Sequence, residues 1–295
     1  MRILLTGATG QIGGSLKVRL SSHDVVAPDR KAFDLEQSET IAPFIDRVRP
    51  HLIINCAAYT AVDEAEQDRQ RATQINGIAP GLIAAAAKAA GAGLIHFSTD
   101  YVFDGLAKQP YRETDGCMPL NAYGRTKLQG EQAIAAAGGE YLIVRTSWIY
   151  AAAGKNFLMT MLRLGAERPI LRVVVDQTGA PTSANAMASI VAAIVTQMGN
   201  APTQYLRQHG GVLNATCAGQ TTWHGFATAI FDEARRRGMR LAVETVEPVA
   251  TAQYPTPARR PNYSVLDLTR LNREFGIAPA SWRDALTEVM DRLAH

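Results

Sequence analysis

The chain has 295 residues, 47% of them hydrophobic and 19% charged, which is typical of a globular protein with one large core or two modest ones. Its formal charge of +3 and its lack of basic tracts interleaved with aromatic residues argue against a nucleic-acid partner. It has no run of eighteen apolar residues for a membrane span, no signal peptide and no cysteine spacing for a metal, so we expect a cytoplasmic protein without a metal site.

The first half of the chain alternates short apolar runs with helical patterns. Strands are predicted over 2–5, 25–27, 52–55, 94–97 and 141–144, and helices over 12–20, 38–48, 70–90 and around 123–138. The helix over 70–90 is expected to bend because it contains Gly77, Pro80 and Gly81. This alternation predicts an α/β fold, a Rossmann-type doubly wound parallel sheet with helices on both faces.

The rhythm changes in the second half. Helices are predicted over 156–164, 184–198, 223–237 and 282–293, and strands over 170–175, 212–216 and 241–246. We therefore expect a dinucleotide-binding domain over 1–147 and a smaller, mainly substrate-binding α/β domain over 148–295, with some segments returning to the first domain. The segment 253–261 holds three prolines and is either a packed loop closing over a site or a linker.

Three glycines follow the first predicted strand directly and lead into the first helix. Gly7 permits a tight turn, Gly10 lets the backbone approach a pyrophosphate, and Gly13 allows close helix packing. The spacing is G-x-x-G-x-x-G, and its strand–turn–helix context predicts a dinucleotide site at the helix N-terminus.

A tyrosine and a lysine lie four residues apart, at Tyr123 and Lys127, and share one face of a helix. A nearby ammonium favours the phenolate, so we expect Lys127 to lower the pKa of Tyr123 toward neutrality. The pair is then a candidate for proton transfer near pH 7.

Several longer motifs carry a family resemblance over nearly the whole chain. They are Gly7–Gly13, Asn55–Asp63, Ser98–Gly105, Tyr123–Lys127, Arg145–Trp148, Asp176–Thr182, Thr221–His224, Tyr254–Pro257 and Arg260–Pro261. With these motifs the chain resembles the extended short-chain dehydrogenases and, within them, the dTDP-4-dehydrorhamnose reductases. The resemblance implies reduction of the C4 ketone of dTDP-4-dehydro-L-rhamnose to dTDP-L-rhamnose, with NADPH or NADH as hydride donor, for the synthesis of surface polysaccharide.

The resemblance also implies roles for individual residues. Tyr123 would be the general acid, Lys127 would tune the phenol and bind the nicotinamide ribose, and Thr99 would bind the ketone oxygen. Cofactor contacts are expected from Gly7, Gly10, Gln11, Ile12, Asp29, Arg30, Asp34, Leu35, Ala58, Tyr59 and Thr60. Because an acid suits the NAD ribose and a base suits the NADP phosphate, adjacent Asp29 and Arg30 leave the preference open.

For the sugar nucleotide, the resemblance implies Asp100, Tyr101 and Trp148, although Trp148 could equally be a core residue. Arg259 or Arg260 is a candidate for the diphosphate, with a surface ion pair as the alternative. His96, Trp223 and His224 are interpreted as structural, and Asn76 as a residue at the helix bend that contacts the neighbouring loop.

Some members of this family hold a magnesium ion at a dimer interface with acidic side chains. The matching positions here are Ser15 and Asn185, which are weak ligands for a hard dication. We therefore predict no magnesium at this site, and a monomer or a weak homodimer.

Two alternatives to the reductase remain open. One is another nucleotide-sugar reductase or epimerase on the same scaffold. The other is a regulatory subunit that binds a dinucleotide without turnover, like the beta subunit of methionine adenosyltransferase, because fold alone does not fix function. The complete set of Thr99, Tyr123 and Lys127 favours the enzyme.

Overall fold

The computed structural model describes residues 1–294 and is built on a six-stranded parallel sheet. Its strands are β1 (Arg2–Thr6), β2 (Asp24–Val26), β3 (Leu52–Asn55), β4 (Gly93–Thr99), β5 (Tyr141–Thr146) and β10 (Gly211–Asn214), in the order β10-β5-β4-β3-β1-β2. The order reverses at β1, so the carboxyl ends of β1, β3 and β4 open onto one crevice, which is where ligands bind in such sheets.

Helices cover both faces of this sheet. One face packs against α1 (Gln11–Arg19), α7 (Ala184–Met198), α8 (Pro202–His209) and α10 (Thr269–Phe275). The other packs against α2 (Ser38–Val48), α4 (Ala79–Ala89) and α5 (Ala122–Ala137). The central strands β1, β3, β4 and β5 are buried on both faces, which explains their continuous apolar runs. The doubly wound fold expected from the sequence is confirmed.

A second core lies beside the sheet. It is formed by α6 (Phe157–Glu167), α9 (Trp223–Arg236), α11 (Trp282–Ala294) and the parallel pair β7 (Ile170–Val174) and β12 (Thr245–Val249). Short pairs join β6 (Ile149–Tyr150) to β9 (Thr182–Ser183), and β8 (Thr178–Gly179) to β11 (Thr221–Thr222). Segments from the second half, β10 and α7, belong to the main sheet and its cover; the division near residue 147 stays a prediction.

Three elements differ from the sequence expectation. The strand predicted over 241–246 begins only at Thr245 and runs to Val249, because the backbone before it turns back onto α6, where Ala242 and Val243 both donate to the Gly165 carbonyl. The helices α8 and α10 were not predicted; both are short and α8 is mostly polar. The predicted helix over 70–90 is α3 (Arg69–Ala72), a π-helical segment (Thr73–Ile78) and α4, so the expected irregularity is confirmed.

Candidate active site

A cleft of about 630 Å³ lies at the carboxyl ends of the central strands. Sixteen of the residues expected at the site line it: Gly7, Gly10, Gln11, Ile12, Asp29, Arg30, Asp34, Leu35, Ala58, Thr60, Thr99, Asp100, Tyr101, Tyr123, Lys127 and Trp148. Tyr59 and Arg260 are not among the lining residues. Residues from both halves of the chain therefore share one cleft.

The glycine turn leaves no room for side chains at two positions. Gly7 has a φ of +66°, and a Cβ there would lie 2.6 Å from the Ala57 nitrogen; a Cβ on Gly13 would lie 2.2 Å from the Gly7 carbonyl oxygen. Gly10 is the N-cap of α1 and supplies no side-chain cap, so the first amides of the helix stay available. A short turn with free amides at a helix N-terminus fits the pyrophosphate of a dinucleotide.

Acidic and basic side chains meet where β2 ends. The Asp29 carboxylate accepts a hydrogen bond from the Ala32 amide at 2.9 Å, and the Arg30 guanidinium pairs with Glu36 and lies 3.6 Å from Asp34. Arg30 is thus held by two carboxylates in the part of the cleft where the second strand places ribose-binding residues. The choice between NADH and NADPH stays open.

Asn76 holds the loop that follows β3. Its Oδ1 accepts from the Tyr59 amide at 2.8 Å and its Nδ2 donates to the Tyr59 carbonyl at 2.9 Å. It sits in the π-helical segment, where the changed turn aims its amide at the loop. The structural interpretation of Asn76 is confirmed, and the Tyr59 ring lies 5.9 Å from the Arg71 guanidinium carbon.

Tyr123 and Lys127 lie on the first turns of α5, where Asn121 caps the helix by accepting from the Gly124 amide at 2.8 Å. Both side chains line the cleft, yet within residues 1–294 they make no hydrogen bond to each other. The Lys127 Nζ instead donates to the Phe97 carbonyl at 2.6 Å and lies 3.0 Å from the His96 Nε2.

The pKa values follow burial more than pairing. Burial raises the pKa of Tyr123 to about 12, against a smaller lowering by the Thr99 hydroxyl, and the Asp100 carboxylate raises it further. Burial lowers the pKa of Lys127 to about 8, although Glu131 opposes this shift. The expectation that Lys127 brings the Tyr123 pKa toward neutrality is therefore wrong, because Nζ points to β4 and desolvation of the phenolate dominates.

Thr99 and Asp100 form the floor of the cleft at the end of β4. Thr99 donates to the Asp100 carboxyl at 3.1 Å and accepts from the Tyr101 amide at 3.2 Å. Asp100 is 2% exposed, and burial raises its pKa to about 7 despite hydrogen bonds that favour the carboxylate. A carboxyl that is partly protonated near neutral pH can either donate to or accept from a hydroxyl.

Comparison with known proteins decides the family. The model for the RmlD substrate-binding domain matches residues 1–295. The dTDP-4-dehydrorhamnose reductase of Burkholderia thailandensis is 47% identical over 290 residues, which are 97% of both chains, and that of Escherichia coli is 40% identical over 99% of this chain and 98% of its own. The chain belongs to the dTDP-4-dehydrorhamnose reductase family. It is an oxidoreductase, as its motifs implied.

Solved structures of the family agree with the fold. The reductase of Clostridium acetobutylicum superposes with a TM-score of 0.92 at 38% identity and full coverage of both chains. That of Bacillus anthracis, solved in complex with NADP, gives 0.90 at 34% identity and 99% coverage of each chain. The described chain has no helix long and apolar enough to cross a membrane.

Two tryptophans form one wall of the cleft. The ring of Trp148 stacks on Trp223 with centroids 3.5 Å apart and planes 5° apart, and Phe157 packs against Trp223. Trp148 has a φ of +47°, a strained conformation for a non-glycine residue, and Gly179 leaves room for its ring, since a Cβ there would lie 2.5 Å from the indole. The stack with Trp223 fixes the Trp148 ring, so Trp148 presents a flat surface at the cleft. Trp223 lines the cleft beside it.

Four residues in or next to the cleft contribute more to the site than the sequence predicted. Trp223 and His96 were interpreted as structural, although Trp223 supports Trp148 and His96 contacts Lys127. Lys155 and Asn156 received no role, yet both line the cleft, and Asn156 donates to the Gln11 side chain at 3.2 Å. No local pattern distinguishes them, because each depends on a contact between distant segments.

The proline-rich segment 253–261 packs against Asp63, which follows β3, and against Asn121 at the N-terminus of α5. Arg260 pairs with Asp63 at 2.7 Å, the Ala258 amide donates to the same carboxylate at 3.0 Å, and Asn121 donates to the Arg259 carbonyl at 2.8 Å. The segment is therefore packed rather than a linker, and its closing over a site stays a prediction. The Arg260 ion pair holds the loop against Asp63, the Asn121 contact holds it against the α5 N-terminus, and the role of Arg260 toward a diphosphate stays a prediction.

Proposed function

We propose that this chain reduces the C4 ketone of dTDP-4-dehydro-L-rhamnose to dTDP-L-rhamnose, using NADPH or NADH. The observation that carries this proposal is the placement of Thr99, Tyr123 and Lys127 in one cleft with the glycine turn, in a chain of this family. When bound, the reduced nicotinamide supplies the hydride. The pyrophosphate is assigned to Gly7, Gly10, Gln11 and Ile12, the adenosine end to Asp29, Arg30, Asp34 and Leu35, and the nearby loop contacts to Ala58, Tyr59 and Thr60.

Tyr123 is the proton donor in this proposal. A phenol with a pKa of about 12 keeps its proton at neutral pH, so it can give the proton to the C4 oxygen as negative charge develops there. The Thr99 hydroxyl hydrogen-bonds the same oxygen and stabilises the developing alkoxide. Lys127, with a pKa near 8, is mostly an ammonium at pH 7 and holds the nicotinamide ribose.

The sugar nucleotide is assigned to the residues that follow β4 and to Trp148. Asp100 and Tyr101 supply polar atoms for ring hydroxyls, and Trp148, fixed on Trp223, offers the edge of a flat apolar surface to the deoxysugar. Arg260 contacts Tyr101 and pairs with Asp63, and it is our candidate for the diphosphate.

The test is oxidation of NADPH by the purified protein with dTDP-4-dehydro-L-rhamnose generated enzymatically. We expect Tyr123→Phe to lower kcat by about 10²- to 10⁴-fold because the proton donor is lost, while dinucleotide binding is retained. Tyr205→Phe is the matched control: that hydroxyl donates to Gln197 on the far face of the sheet, and its loss should leave kcat unchanged.

A Tyr123→Phe variant as active as the wild type would contradict the assigned proton donor. No oxidation by either protein, together with tight dinucleotide binding, would contradict the proposed substrate and favour another nucleotide sugar or a regulatory role.

A further inference from the structure

Four buried polar side chains form a chain of hydrogen bonds that leads from the cleft lining into the sheet. Thr6, Asn55 and His96 lie at one level of three neighbouring strands, since Thr6 is the register partner of Asn55, and Asn55 that of His96. Lys127 reaches them from α5, and all four are at most 2% exposed. Because water is excluded, each donor must face an acceptor or lose a hydrogen bond.

The orientation of Asn55 is fixed at one end of this chain. The backbone amide of Ala57 lies 3.2 Å from the Asn55 Oδ1 and can only donate, and the Thr6 hydroxyl donates to the same oxygen at 2.6 Å. The Asn55 Nδ2, which carries only donors, therefore faces the His96 Nδ1 at 3.0 Å.

This contact selects the tautomer of His96. The ring is neutral, since burial and then Lys127 hold its pKa well below the ordinary value. A neutral ring facing a donor at Nδ1 must carry its one proton on Nε2. The Nε2–H then points at the Lys127 Nζ, 3.0 Å away.

A lysine beside an N–H donor is satisfied only as a neutral amine. The amine lone pair accepts from the His96 Nε2–H while one amine hydrogen goes to the Phe97 carbonyl, 2.6 Å from Nζ. An ammonium has no lone pair, so it would face Nε2–H donor to donor, or force His96 into the tautomer that faces Asn55 donor to donor.

We infer that Asn55 and His96 act as a positioning pair that makes the Lys127 amine a hydrogen-bond acceptor and so weakens its affinity for a proton. This inference rests on the role of Lys127 in the proposed function. Because the proposed function needs the Lys127 ammonium at the nicotinamide ribose, a lower proton affinity of Lys127 places the alkaline limit of activity at a lower pH.

Other charged groups around Lys127 do not account for this preference. Glu131, one turn further along α5, favours the ammonium, and its carboxylate is already bound by Arg145 from β5. Tyr123 precedes Lys127 by one turn of α5 and is neutral at physiological pH, and Asp100, which follows β4, contacts Thr99. Among these groups in the described residues, only the His96 ring nitrogen lies within hydrogen-bond distance of Nζ, at 3.0 Å.

The direct test reads the His96 tautomer by ¹⁵N NMR of the full-length protein without substrate, at a pH above the Lys127 titration midpoint. We expect the proton on Nε2 in the wild type and on Nδ1 in Asn55→Asp, because that substitution replaces the donor facing the ring with an acceptor. A wild-type ring protonated on Nδ1 would overturn the inference, and this result needs no variant to fold.

The second test follows the Lys127 titration by NMR of ¹³Cε-labelled lysine, with the signal assigned by Lys127→Arg. In Asn55→Ala the donor clash is relieved, so the proton affinity of Lys127 should rise roughly tenfold, the size of one hydrogen bond. In His96→Gln the side-chain amide still accepts from Asn55 and donates to Lys127, so the wild-type midpoint should be retained. Ser98→Ala is the control. Ser98 lies on the same face of β4 as His96, and its substitution removes a buried hydroxyl that, in the described part of the chain, makes no hydrogen bond to the Lys127 Nζ, so the midpoint should not change.

The outcomes separate this inference from the reductase assignment. An unchanged midpoint in Asn55→Ala, or a raised midpoint in His96→Gln, would overturn the positioning role. If the protein oxidises no NADPH with the sugar but the titrations behave as expected, the proposed substrate is wrong, while the inferred donor–acceptor arrangement around Lys127 is supported. In an active enzyme, the pH at which kcat falls on the alkaline side should be higher in Asn55→Ala than in the wild type, as should the NMR midpoint.

Discussion

At the scale of single residues, the cleft combines groups whose ordinary charge states are disfavoured by burial. Tyr123 and Asp100 hold their protons to higher pH, and Lys127 releases its proton at lower pH. The helical spacing of Tyr123 and Lys127 placed both in the cleft correctly. It could not show where Nζ points, because that depends on β4, which lies about thirty residues earlier in the chain.

Asp100 should make the stability of the protein depend on pH. Its pKa is raised from 3.8 to about 7 in the folded state, so the folded protein binds more protons than the unfolded chain between these values. The contribution of Asp100 is therefore complete below the unfolded pKa and is lost as the pH rises through 7. The loss should approach roughly 4 kcal/mol as an upper limit.

Urea unfolding of the wild type and of Asp100→Asn across this pH range measures the effect. The asparagine variant cannot titrate, so its stability should fall less steeply between pH 4 and 7. Equal slopes in the two proteins would show that the Asp100 carboxyl is not strongly perturbed.

At the scale of elements, helix α5 is held by a buried ion pair. Arg145 on β5 binds Glu131 on α5 through two hydrogen bonds, from Nε at 3.0 Å and from Nη2 at 2.6 Å, and both residues are 4% exposed. Removal of one partner leaves the other charge buried and unpaired, which is far more costly than the loss of a surface pair.

We expect Glu131→Gln to lower the free energy of unfolding by about 3–5 kcal/mol. Glu167→Gln is the control, since Glu167 pairs with Arg163 one turn away on an exposed face, and its loss should cost less than about 0.5 kcal/mol. Denaturation in urea compares the two variants. Equal losses would mean that burial of the Arg145 pair adds nothing to its strength.

The elements themselves were predictable where a strong pattern was local. The buried strands β1, β3, β4 and β5 read as apolar runs, and α5 and α7 ended where Gly138 and Gly199 follow them. The hydrophobic pattern did not predict the bounds of β12, whose mostly exposed residues pair with β7. It also did not predict the short helices α8 and α10, which are stabilised by packing on the sheet. Tertiary contacts, which no local pattern contains, decide these segments.

At the scale of the whole molecule, both halves of the chain build the site. Trp148, Lys155 and Trp223 line a cleft whose glycine turn comes from the first residues, and Arg260 reaches back to Asp63. The family motifs predicted this convergence, whereas spacing alone could not.

The position at which the family resemblance implied a magnesium site also joins distant segments. Asn185 at the start of α7 accepts from Arg19 of α1 at 2.8 Å and donates to Glu288 of α11 at 2.6 Å, and Glu288 in turn accepts from Arg292 at 2.8 Å. One guanidinium group thus contacts Asn185 and another contacts the neighbouring carboxylate of Glu288. Since a divalent cation prefers several anionic oxygens, the absence of magnesium at this position stays our prediction.

We therefore expect EDTA to change neither the activity nor the mass in solution, whether the protein is a monomer or a weak homodimer. Sedimentation equilibrium and the NADPH assay, each with and without the chelator, measure this directly. The matched control is the variant with Ser15→Glu and Asn185→Glu, which places two further carboxylates near Glu288 and should gain a magnesium-dependent mass or melting temperature. A wild-type assembly that dissociates in EDTA, or an activity that magnesium restores, would show that the neutral Ser15 and Asn185 side chains do not exclude the ion.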